Sequence, residues 1–194
     1  MSNPPLTDIT FAEHPAATSE GKNTTDYYKR WETEAIRADL DKNRVPMVNI
    51  CMNLTGEFNK SSVIRASNAF LGQEVWLVGK RKFDRRGTVG THHYEHIKHA
   101  ESFEPLFEAL IADGYTIFPV DNIDSYDPKA IFEVDLPAKS AFVYGEEMLG
   151  LSEELINACN GTMIYIPQYG SVRSINVAQA AAVTMYEYSR QNRH

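Results

Sequence analysis

Residues that could do chemistry gather in three stretches of this sequence, and one of them is strongly basic. Between positions 80 and 99 (KRKFDRRGTVGTHHYEHIKH) the cations Lys80, Arg81, Lys82, Arg85, Arg86 and Lys98 outnumber the acids Asp84 and Glu95. Gly87 and Gly90 give the stretch freedom, and Phe83 and Tyr94 offer flat surfaces. Such a mixture suits phosphate contacts with base stacking on folded or single-stranded RNA. A solvated surface loop accounts for the composition equally well. Four histidines, His92, His93, His96 and His99, raise the question of zinc, and His92 and His96 could share a helix face. No cysteine or matched acidic set accompanies them, so no metal is expected.

The other two stretches are 145–152 (GEEMLGLS) and 167–176 (PQYGSVRSIN). GEEMLG is neither a Walker loop nor GxGxxG, and Glu146 and Glu147 would repel phosphate. Two adjacent carboxylates in one turn cannot flank a scissile glycosidic bond. No Ser/His/Asp spacing is evident, and Ser152 and Ser174 are well placed as helix caps. Cys51 and Cys159, the only cysteines, each lie beside apolar residues and read as buried thiols rather than a disulfide or metal pair.

The elements around these stretches have a regular order. The apolar run 141–144 stops at Gly145, and the run 163–166 stops at Pro167. Short runs bounded by Gly and Pro suit buried parallel strands. The spacing therefore puts both loops at the carboxyl ends of neighbouring strands, the edge where open α/β sheets bind ligands. Ser174 can cap a final helix in which Val177, Ala181, Met185 and Tyr188 share a face. Upstream, 45–52 (VPMVNICM) reads as a strand, with Pro46 at its start or on an edge. A polar loop 53–62 containing Asn59 follows, then a helix to Gly72 with Arg65 in its first turns and Val63, Ile64, Ala66 and Phe70 as its apolar surface. Strands at 74–78 and 115–120 and a helix at 103–112 complete an alternation that predicts an α/β fold, a mainly parallel sheet flanked by helices.

Residues 1–25, rich in Pro, Ser, Thr, Asn and Ala, read as a mobile arm draped over a partner. Residues 26–43 favour a helix with Asp26 as its cap and Asn43 as its stop. Tyr27, Trp31 and Ile36 would form a narrow docking face on it. The segment reads as an extension helix packing on the domain rather than an RNA-binding element. The division expected is 1–44 for arm and extension helix and 45–194 for one α/β domain.

With 194 residues, 43% of them hydrophobic and 23% charged, the composition is that of a globular protein with a real core. No apolar run approaches the roughly 20 residues that span a membrane. The start of the chain lacks a charged-then-apolar signal pattern, so a cytoplasmic location is expected. A net charge of −7 argues against general nucleic-acid binding, although binding follows a local patch and not the sum.

Three segments taken together resemble the SpoU/TrmH group of the SPOUT-class RNA methyltransferases. They are NKSSVIRASNAFLG (59–72), FVYGEEMLGLS (142–152) and IPQYGSVRSINVAQAAAV (166–183), in the family's order and approximate spacing. Departures are modest: Leu71 adds a residue before Gly72, and Gln179 replaces a usual small residue. The resemblance implies a C-terminal trefoil knot, which periodicity cannot show and which general rules of chain threading disfavour. It implies S-adenosylmethionine as cofactor, held by Gly145, Ile166 and Ile175 with Val120, Gly150 and Ser174 nearby. It implies transfer of a methyl group to a ribose 2′-hydroxyl of tRNA or rRNA, with tRNA slightly preferred, by a homodimer. Arg65 would act as base or electrostatic orienter, held by Asn59 and Glu147 through an Arg65–Glu147 contact, while Ser174 and Asn176 shape the knot loop. Lys80, Arg81, Lys82, Arg85 and Arg86 would bind RNA. The alternatives are a non-catalytic knotted RNA-binding protein, against which intact Asn59, Arg65, Glu147 and Asn176 speak, and an enzyme acting on another small nucleotide.

Overall fold

A computed structural model describes residues 24–193, so nearly all of the expected N-terminal arm lies outside the described residues. Strands β1 (Val45–Met52), β2 (Gly72–Val78), β3 (Ile97–Ala100), β4 (Thr116–Val120), β5 (Lys129–Ala130), β6 (Ser140–Tyr144) and β7 (Ile164–Tyr165) form one sheet. Its order is β3-β2-β1-β6-β4-β7-β5, and every pairing is parallel. Helices α1 (Thr33–Asp41), α2 (Glu57–Ala69), α3 (Arg85–Thr88), α4 (Glu104–Ala112), α5 (Glu153–Ala158) and α6 (Val177–Asn192) supply the connections and the outer layers.

The central strands are apolar almost without interruption because both of their faces are covered. In β1, Met47 and Cys51 point to the side of α2 and α6, where they meet Val63, Ile64, Phe142, Met185 and Tyr188. Val48 and Ile50 point the other way, towards α4 and α5, with Phe107, Ile117, Val143 and Leu155. Each fully buried aliphatic or aromatic side chain here contributes about 1.5–3 kcal/mol. The two layers are thus set by the alternation of side chains along the same strands. A third, smaller cluster joins Trp31 and Ile36 to Tyr94, which fastens α1 beside β3. The buried Arg44 guanidinium reinforces that corner by donating to both Glu95 carboxylate oxygens (3.0 Å each) and to the Gly72 and Tyr94 carbonyls.

Several element boundaries differ from those the spacing predicted. The 26–43 segment is not one helix: a 3-10 turn covers Asp26–Tyr28, α1 starts at Thr33, and Asp26 caps nothing. Trp31 and Ile36, with Tyr27 beside them, are buried against Tyr94, so the narrow face they form packs the segment on its own domain, as expected. The expected loop before α2 is largely helix, and Asn59 sits in the first turn. Strands β6 and β7 are not neighbours, because β4 lies between them. Asn176, not Ser174, caps α6 by accepting from the Ala178 N–H (2.9 Å). Ser152 caps α5 as expected. Among the described residues no helix is long and apolar enough to cross a membrane.

Candidate functional site

Because the sheet is parallel, the loops after β4, β6 and β7 leave it at one edge. They enclose a cavity of about 760 Å³. Val120 reaches it from the end of β4, and Gly145, Glu147 and Gly150 reach it from the loop after β6. Ile166, Ser174, Ile175 and Asn176 line it from the loop after β7. The residues expected to hold a cofactor are therefore brought together.

The β6 loop is folded tightly on itself. Gly150 donates its N–H to the Glu146 carbonyl (2.8 Å) and takes φ +67, a left-handed conformation that suits glycine. A Cβ on Gly145 would lie 2.4 Å from the Gly150 carbonyl carbon and 2.7 Å from the Leu151 nitrogen, so only glycine fits. Asp121 accepts from the Leu151 N–H (3.3 Å), and Asn122 donates to the Arg173 carbonyl (3.1 Å). The residues just past β4 therefore tie both other loops to the sheet. Sequence reasoning missed them; the signal was two polar residues immediately after an apolar run.

Glu147 joins the β6 loop to the start of α2. Its carboxylate accepts from the Thr55 N–H (3.1 Å) and hydroxyl (3.0 Å), the Gly56 N–H (3.0 Å) and Asn59 Nδ2 (2.8 Å). Gly56, the N-cap of α2, has no side chain to close the helix start, and Glu147 does so from 91 residues away. Burial raises the carboxyl pKa, but the bonds from Asn59, its own backbone N–H, Thr55 and Gly56 outweigh that and bring it to about 2. Asn59 Oδ1 in turn accepts from Asn176 Nδ2 (3.0 Å), and Asn176 caps α6. All three motif segments thus meet in one line of hydrogen bonds at the rim of the cavity.

Arg65 does not join them. Six residues beyond Asn59 is about 240° further round an α-helix. Arg65 is exposed and has no hydrogen-bond or ion-pair partner among the described residues, so the expected Arg65–Glu147 contact is absent. It lies instead on an outward stripe of α2 with Phe58, Ser62 and Ala69.

The basic stretch docks on the first turn of α2. The Lys60 ammonium, 2% exposed, donates to the Lys80 carbonyl (3.1 Å), and burial lowers its pKa. Lys82 pairs with Glu57 (3.1 Å), Arg86 lies over the Phe58 ring (5.5 Å), and Lys80 approaches Glu146 (3.8 Å) at the cavity. Far from being one flexible loop, the stretch holds α3, a 3-10 turn at Thr91–His93 and β3. Tyr94 is buried and offers no stacking surface, and Phe83 packs partly against the core. The histidines take separate partners: His92 the Thr88 hydroxyl, His96 Asp41, His99 the Gly79 carbonyl. Among the described residues no group of His, Cys, Asp and Glu could hold a metal. Cys51 and Cys159 are free thiols, each pushed up to about 12 by burial.

The chain is similar in sequence and fold to known proteins. The chain is 29% identical over 170 residues to the tRNA (guanosine(18)-2′-O)-methyltransferase of Thermus thermophilus, covering 84% of this chain and 86% of that enzyme. The crystal structure of the Aquifex aeolicus TrmH/SpoU tRNA modifying enzyme superposes with a TM-score of 0.73 at 24% identity, over 82% of this chain and 81% of that one. The SpoU methyltransferase AviRb from Streptomyces viridochromogenes, solved with AdoMet, gives a TM-score of 0.66 at 23% identity, over 79% and 60%. The parallel sheet with helices on both faces is the α/β fold of these structures, in keeping with the SPOUT trefoil knot. The model of the SpoU rRNA methylase family matches residues 46–186, a span that contains all three motif segments and the cavity they build. The chain belongs to the SpoU/TrmH family of the SPOUT class.

Proposed function

We propose that this chain is an S-adenosylmethionine-dependent methyltransferase that modifies a ribose 2′-hydroxyl of RNA, with tRNA as substrate. The observation that carries the reading is the Asn59–Glu147–Asn176 junction at the rim of the cavity. The Thermus relative, named for a tRNA 2′-O-methylation, matches nearly its whole length. The cavity suits the cofactor, since about 760 Å³ falls within the range of small-molecule sites and the cramped backbone at Gly145 makes a close cradle. Gly145, Ile166 and Ile175 would hold it, with Val120 and Gly150 beside them. When bound, S-adenosylmethionine supplies an electrophilic methyl group.

The chain's own residues must then seat the ribose and manage its proton. A 2′-hydroxyl is a weak nucleophile, and negative charge develops on its oxygen as the proton leaves. The Arg65 guanidinium, planar, exposed and without a partner among the described residues, serves as orienter of an RNA phosphate and stabiliser of that charge. Asn59 and Asn176, fixed by their mutual bond, present the rim against which the sugar sits. Arg65 points away from its own Glu147, which supports a homodimer whose partner supplies it. Helices α2 and α6 also expose Phe58 (55% exposed), Val183 (40%) and Tyr186 (60%), apolar groups that a second copy would cover.

Tritium transfer from labelled S-adenosylmethionine to bulk tRNA and, separately, to rRNA tests the reading, with nuclease mapping of the labelled nucleotide. Label on a 2′-O-methyl nucleotide, reduced by about 100-fold or more in Arg65→Ala while cofactor affinity holds, is expected. Absence of cofactor binding in the wild-type protein would sink it. Tyr186→Asp should convert a dimer to a monomer in sedimentation; a wild-type monomer would remove the shared site.

A further inference from the structure

A second cavity, of about 680 Å³, lies at the other end of the same sheet edge, between the β2–β3 crossover and the two strands. Leu77, Phe83 and Ile97 form its apolar floor, and all three pack with the core. Arg81, Lys82, Arg85 and Lys98 stand around it with His92 and His99, and no acid lines it. Two of these cations are answered from outside the cavity, Lys82 by Glu57 and Lys98 by Glu74. The side chains of Arg81 and Arg85 are exposed and have no acidic partner among the described residues. In a chain of net charge −7, a cavity with two unanswered guanidinium groups and no carboxylate is a local reversal of the field. His92 adds little to it, since burial, then His93 and Arg85, lower its pKa and favour the neutral ring.

The cavity is tied to the first site. Lys80 precedes Arg81 and lies 3.8 Å from Glu146, a wall residue of the other cavity. Lys60 and Glu57, in the first turn of α2, hold Lys80 and Lys82 on either side. One surface therefore runs from the rim at Asn59 across the helix start to the guanidinium groups.

We propose that this second cavity grips a single-stranded stretch of the substrate RNA adjoining the nucleotide to be methylated, with phosphates on Arg81 and Arg85 and one base against the half-buried Phe83 and Ile97. The inference rests on the reading of the chain as an RNA methyltransferase, and deepens it. Cations with an apolar platform are the recurrent chemistry of single-strand sites, and planar guanidinium groups match phosphate oxygens in pairs.

Anisotropy of fluorescein-labelled bulk tRNA tests it without needing turnover. The double variant Arg81→Gln/Arg85→Gln is compared with Lys129→Gln/Lys139→Gln, which changes the net charge equally but lies on β5 and at the amino end of β6. RNA affinity should fall about tenfold in the first and stay within about twofold in the second. The slope of log affinity against log salt should drop by roughly 1.4–1.8 for the two lost contacts. S-adenosylmethionine affinity by calorimetry and the melting temperature should not move. Equal affinities and slopes in the two double variants would overturn the proposal. So would displacement of the tRNA by inorganic phosphate at constant ionic strength, which would mark a small-anion site. Methyl transfer is read separately: binding that responds to the first variant in a protein that transfers no methyl group keeps the cavity and ends the enzymatic reading. Unchanged binding in an active enzyme does the reverse.

Discussion

Glu147 is held by four hydrogen bonds from the start of α2, and that cage determines how it responds to pH. Its folded pKa, about 2, lies below the ordinary 4.5. A depressed carboxyl adds stability above its unfolded value, and that stability is lost as pH falls from about 4.5 towards 2. The activity profile between about pH 5 and 9 should therefore carry no limb from this group; an acid limb near pH 6 that vanishes in Glu147→Gln would contradict the assignment. The same variant, left with one good acceptor, should lower the melting temperature by about 2–4 °C, the scale of 1 kcal/mol in a chain of this size. Gly145→Ala should abolish cofactor binding in calorimetry while circular dichroism stays native, since its Cβ would meet backbone and not a side chain that can rotate away. At this scale the motif residues were legible because their types and order are unusual. Arg65 was misplaced because helical phase, not nearness in sequence, decides which side chains meet.

The two helix starts at the rim, of α2 and α6, are closed by different devices, and both contain lessons for reading elements. Asn176→Ala removes the cap on Ala178 and the bond to Asn59, and should cost about 1–2 kcal/mol in chemical denaturation. Asn176→Ser keeps a capping oxygen but cannot reach Asn59, so it should recover most of the stability and little of the activity. The alternation of strands and helices was readable from apolar runs of the right length. The start of α2 was not, because its closing carboxylate comes from the β6 loop and Gly56 leaves no local sign. Ser174 was a reasonable cap by residue type, but Asn176, two positions later, takes the role because the chain is still non-helical there, at φ −57 and ψ 140. The two-residue β5 falls below what any periodicity can register.

Seen whole, the molecule places two cavities along one sheet edge, with the first turn of α2 between them. The threading of the chain was not legible from local pattern, since a knot leaves every strand and helix locally ordinary; only the three motifs implied it. The basic patch was legible as composition, but its shape was not, because α3 and β3 fold what looked like a loop into a walled cavity. Lys60 gives this arrangement a clock. Its amine is sealed under the basic segment by the Lys80 carbonyl, so an acylating reagent can reach it only when that segment lifts. The rate of Lys60 acylation, followed by mass spectrometry in the intact protein, thus reports how often the segment detaches. Bound RNA that bridges the two cavities should slow that rate in proportion to its saturation, which turns one buried amine into a gauge of substrate grip.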